Sequence, residues 1–112
     1  MSSFSEKGLL GELEQLVLLA VIHGEGDAYA VSIRDEIESR TGIALGRGSV
    51  YVTLDRLERK GYLTSSMGEP TAERGGKAKR CFSITPVGRA ALSAAEAAIA
   101  RMRQTKPVRG TR

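Results

Sequence analysis

The chain has 112 residues with a formal net charge of +4, 41% hydrophobic residues, 4% aromatic residues and no Trp. That length allows one domain with one modest core of Leu, Val, Ile and Ala, and the apolar content excludes a disordered chain. The charge is unevenly placed: residues 1–46 hold three Lys/Arg against eight Asp/Glu, and residues 47–112 hold fourteen against five. A basic half on a small domain is the footprint of a phosphate-binding surface, with an ordinary solvated face as the competing reading.

Residues 1–8 are Ser-rich and predict a flexible N-terminus, without the apolar stretch of a secretory signal. The first helix is predicted from about Leu9 to His23. Leu9, Leu13, Leu16, Val17, Ala20 and Val21 keep helical spacing on one side, and Leu10, Leu18, Leu19 and Ile22 add apolar positions around it. A helix apolar on more than half its circumference packs at the centre of a core or on a second chain. The run Leu16–Ile22 is too short to span a bilayer.

Gly24-Glu25-Gly26-Asp27 is turn chemistry, with Asp27 the expected N-cap of a second helix over Ala28–Thr41. Ala30, Ile33 and Ile37 form its buried stripe, and Gly42 follows where a left-handed C-cap is expected. Ser49 is the expected N-cap of a third helix, about 49–60, stopped by Gly61. Val50, Leu54 and Leu57 give it a narrow inward stripe, so most of its surface is left for a partner.

A strand within Tyr62–Gly68, a loop of Gly, Pro and charge, and a returning strand over Lys79–Thr85 predict a hairpin. Thr85-Pro86 opens a last helix to Arg103, with Leu92, Ala95, Ile99 and Met102 on one stripe. Residues 104–112 form a basic tail. Three helices, a two-stranded hairpin and one helix make a mainly α (α+β) winged helix-turn-helix. The domain spans residues 9–85, and residues 86–103 form a separate C-terminal helix.

The third helix and hairpin carry the predicted function. Arg47, Gly48, Ser49, Tyr51, Val52, Thr53, Arg56 and Lys60 surround or flank its outward face. Small residues at the helix start let a backbone approach, its free N–H groups attract phosphate, Val52 suits a thymine methyl, and Arg56 can reach a guanine edge. Competing readings are an ion pair from Arg56 to an acid of the second helix, a partly buried Tyr51, and a helix-dipole role for Lys60. In the hairpin, Arg74, Lys77, Lys79 and Arg80 form a basic wing around Gly75-Gly76, suited to a minor groove or phosphates.

Enzyme chemistry finds no support in the motifs: His23 and Cys81 are single, no P-loop is present, and no metal or cofactor is expected. A lone cysteine fits a reducing, cytoplasmic setting.

The segments LGELEQLVLLAVI, DAYAVSIRDEIESRTG, GSVYVTLDRLERKGYL and GEPTAERGGKAKRCFSITPVGRAAL, in that order, resemble the PadR family of bacterial winged-helix transcriptional regulators. The similarity covers about residues 8 to 95. It implies a dimer that binds operator DNA and represses, with Ser49, Tyr51 and the basic wing on DNA and the first and last helices at the dimer seam. Leu10, Leu18, Leu92, Ala95, Ile99 and Met102 are the dimerisation residues so implied. Cys81 departs from the aromatic residue expected before Phe82, and a single C-terminal helix departs from longer members. The expected partners are duplex DNA, a second copy and an unidentified small-molecule effector, with no membrane. A winged-helix protein-interaction module without its own operator is the alternative.

Overall fold

The computed structural model describes residues 9–68 and 78–105. Four helices, α1 (Glu12–Gly24), α2 (Ala30–Thr41), α3 (Arg47–Arg59) and α4 (Pro86–Arg103), accompany strands β1 (Leu63–Met67) and β2 (Arg80–Ile84). The fold class is the expected one. The wing-tip residues Arg74 and Lys77, the first eight residues and residues 106–112 lie outside the described residues.

Apolar spacing accounts for the packing. Val17, Leu18 and Val21 of α1, Ile33 and Ile37 of α2, and Val50, Leu54 and Leu57 of α3 close one core with Leu63 and Phe82. α1 lies at its centre, touching α2, α3, α4 and β2. This explains its broad apolar circumference: Leu18 has no exposed surface and Leu10 is also buried. Leu92 and Ala95 of α4 are buried in the same core. The dimerisation reading of these four residues is therefore corrected to a role inside the protomer. Ile99 and Met102, further along α4, are 50% and 84% exposed.

The helix starts also differ from expectation, for identifiable reasons. α2 begins at Ala30 with Tyr29 as N-cap, not Asp27. Ala28 is held in an antiparallel bridge to Phe82, whose N–H donates to the Ala28 carbonyl at 2.8 Å, so the helix cannot begin there. Ser32 Oγ instead accepts the Tyr29 N–H at 2.9 Å. α3 begins at Arg47 behind Gly46, which leaves Ser49 inside its first turn and not at the cap. α1 begins three residues later than expected, where Glu14 Oε1 accepts the Gly11 N–H at 2.9 Å. Gly42 takes the predicted left-handed cap, φ 78°.

β1 and β2 pair antiparallel from Leu63↔Ile84 to Met67↔Arg80. The hairpin root is closed twice by Thr85: its N–H donates to the Tyr62 carbonyl at 3.0 Å, and its Oγ1 donates to the Gly61 carbonyl at 2.7 Å. The same Oγ1 accepts the Gly88 N–H at 3.0 Å, capping α4 as predicted. Gly88 is buried against this root, and a Cβ placed there would lie 2.2 Å from the Tyr62 carbonyl oxygen. Only a glycine lets α4 enter this close to the strand.

Candidate nucleic-acid interface

The inward stripe of α3 fixes what its other side presents. With Val50, Leu54 and Leu57 in the core, Gly48, Ser49, Val52 and Arg56 come together along one open, shallow depression that Leu13 of α1 borders. Val52 is 57% exposed at its middle. This surface has a small, close-approach end at Gly48 and Ser49 and a cationic end at Arg56.

Thr53 lies at the floor of the same depression and exposes almost no surface to it. It is buried, and its Oγ1 donates to the Ser49 carbonyl at 2.8 Å. It sits one residue from the inward Leu54, and its hydroxyl is satisfied by the preceding turn. Tyr51 is exposed on the opposite flank, in a cleft between α3 and the wing that Tyr29, Met67, Lys79 and Arg80 also line. Arg47 is exposed at the start of α3, beside Arg34 of α2. Among the described residues no acid lies within ion-pair distance of Arg34 or Arg47.

Among the described residues, the other predicted site cations, Arg56, Lys60, Lys79 and Arg80, have partners within the protomer. Lys60 Nζ lies 3.0 Å from Glu14 Oε2, and Arg56 Nη1 lies 4.0 Å from the same oxygen. Arg56 thus pairs with an acid, as one reading allowed, but the acid is on α1 and not on α2. Arg80 reaches Glu58 at 2.6 Å and Ser65 at 3.0 Å, and Ser65 Oγ donates to Glu58 at 2.8 Å. This joins the wing to α3. Lys79 lies over the Tyr29 ring, 4.6 Å from its centre.

Glu14 and Glu58 are the residues that sequence reasoning missed. A signal for Glu14 existed: it precedes the buried Val17, Leu18 and Val21 by three, four and seven positions, so it points inward with them. An inward carboxylate requires a cation or a hydrogen-bond donor. Burial alone would raise its pKa. The Gly11 N–H, Lys60 and Arg56 outweigh that effect and hold the carboxyl below the ordinary value of 4.5.

A depressed folded pKa stabilises the fold above the unfolded glutamate range, and that stabilisation is lost as pH falls through the folded value. Glu14→Gln is therefore expected to flatten the acid limb of stability. Urea midpoints that fall equally in both proteins below the ordinary glutamate range would refute this role.

Among the described residues no group of His, Cys, Asp and Glu is arranged to hold a metal ion, and no helix is long and apolar enough to cross a membrane.

Residues 18–94 match the model of the Transcriptional regulator PadR-like family. The Transcriptional regulator Rv3488 of Mycobacterium tuberculosis is 34% identical over 79 residues, covering 69% of each chain. An uncharacterized 37.1 kDa protein in transposon TN4556 of Streptomyces fradiae is 35% identical over 91 residues, 81% of this chain; the chain spans 24% of that protein's length. The solved structure of a transcriptional regulator from Clostridium thermocellum superposes with a TM-score of 0.68 at 25% identity, covering 81% of this chain and 85% of that one. The chain belongs to the PadR-like family, and is a winged-helix DNA-binding transcriptional regulator rather than an enzyme.

Proposed function

We propose that the chain is a cytoplasmic homodimeric repressor that binds an inverted-repeat operator, occluding it to the transcription machinery. The observation that carries this reading is the open face of α3, where Gly48, Ser49, Val52 and Arg56 line one surface that Leu13 of α1 borders and no other described element covers. Each protomer lays this face in a major groove. Arg47 and the basic wing, with Arg74, Lys77 and Lys79, lie along the flanking backbone. Arg80, fastened to Glu58, holds the far end of the strand ladder against α3.

The distal half of α4 supports the dimer. Ile99 and Met102 are large apolar side chains in an otherwise exposed stretch of helix, and a second copy packed there buries them. Two-fold symmetry then sets half-sites about one helical turn apart, roughly 34–36 Å.

The test pairs sedimentation with duplex binding. Ile99→Asp is expected to convert the dimer to monomer and to lower affinity for an inverted repeat far more than for a single half-site. The repeat is a duplex enriched from a randomised library. An unchanged dimer, or equal losses on both duplexes, would overturn the arrangement.

A further inference from the structure

Glu14 stands beneath the groove-facing side of α3 without reaching its surface. Its side chain is 10% exposed, and its two oxygens have different duties. Oε1 is fixed by the Gly11 N–H at 2.9 Å, while Oε2 faces Lys60 at 3.0 Å and Arg56 at 4.0 Å. The Gly11 N–H at the start of α1 restrains the carboxylate from behind. Arg56 remains 52% exposed, with its Nη1 4.0 Å from Glu14 Oε2.

An unrestrained arginine and lysine near a groove bind any phosphate, whatever the sequence. A carboxylate behind them has two effects. It cancels part of their positive charge, and it draws the guanidinium toward one side, which narrows the orientations from which it can read a base edge. We infer that Glu14 is a positioning residue for DNA discrimination: it holds Arg56 and partly neutralises Arg56 and Lys60, so that α3 distinguishes its operator from other duplexes. The inference rests on the proposed placement of α3 in a major groove.

The measurement is the ratio of affinities for two duplexes, one enriched from a randomised library and one scrambled with the same composition, across a salt series. Glu14→Gln is expected to lower this ratio about tenfold, within what one oriented arginine–base contact contributes. It is also expected to steepen the salt dependence on scrambled DNA by about one, the slope of one additional phosphate contact. Glu14→Asp keeps the charge but shortens the reach, so the ratio falls while the salt slope stays that of the unaltered protein. It also serves as the test if Glu14→Gln does not fold, as read by circular dichroism. In an Arg56→Ala background, Glu14→Gln is expected to lower the ratio less than in the unaltered protein, leaving only the part due to release of Lys60; a merely structural role would give the same additional loss in both backgrounds.

A wild-type ratio retained in folded Glu14→Gln or Glu14→Asp overturns the inference, as does full additivity with Arg56→Ala. An unaltered protein that does not distinguish the two duplexes overturns instead the operator-binding reading on which the inference rests.

Discussion

Val52→Glu is expected to weaken binding to an enriched duplex by roughly 100-fold, the loss of one to two good base-level contacts, while leaving the fold intact. Val52 is exposed between Ser49 and Arg56, on the face left open by the inward stripe of α3. A carboxylate there meets the negative potential of the groove. It also sits four residues before Arg56, the helical spacing at which Glu and Arg pair, so it competes with Glu14 for the same guanidinium. Because Val52 buries little surface, its replacement should change unfolding stability by no more than about 0.5 kcal/mol. Fluorescence anisotropy with a parallel thermal melt reads both quantities. Binding within threefold of the unaltered protein would remove this face of α3 from the DNA contact.

The second large effect is expected from the smallest substitution. In an open helical position Gly→Ala stabilises by about 1 kcal/mol. At Gly88 the sign reverses, because the added methyl would lie 2.2 Å from the Tyr62 carbonyl oxygen and 2.9 Å from Ile84 Cγ1. The obstructing atom is backbone, already accepting the Thr85 N–H, and cannot rotate away. Either the helix start shifts or the hairpin root opens, at about 2–3 kcal/mol for an overpacked site. For a domain of this size the melting temperature should fall by about 10 °C or more. The distal end of α4, bearing Ile99 and Met102, would be displaced along with its root, so dimer affinity should fall too. A Gly88→Ala protein as stable as the parent would contradict the close approach of α4 to the strand.

What could be read from the sequence was local, and what could not depended on distant partners. Val50, Leu54 and Leu57 were legible because spacings of four and three identify one face of a helix without any knowledge of its surroundings. Thr85-Pro86 and Gly42 were legible because capping is local chemistry. The start of α2 was not, since Ala28 is removed from the helix by Phe82, a residue far along the chain. The cations near α3 were identified as charges, but their pairing with Glu14 and Glu58 spans three different elements. The apolar breadth of α1 was ambiguous between a core and a partner. Its contacts with four elements of its own protomer place its buried side chains in the core, while Ile99 and Met102 on the distal half of α4 stay exposed.

The hairpin root has a further consequence, for how such a regulator changes over evolutionary time. Thr85 fastens both strands at Gly61 and Tyr62, the ladder runs to Met67↔Arg80, and the Gly68 N–H closes the far end onto the Lys79 carbonyl at 2.6 Å. The core is thereby insulated from whatever sequence connects Gly68 to Ala78. Doubling the length of such a connection adds only about 0.6 kcal/mol of closure entropy. Insertions, deletions and exchanges of charge there are expected to cost little folding stability, so this segment can change quickly while α3 and its supports stay as they are.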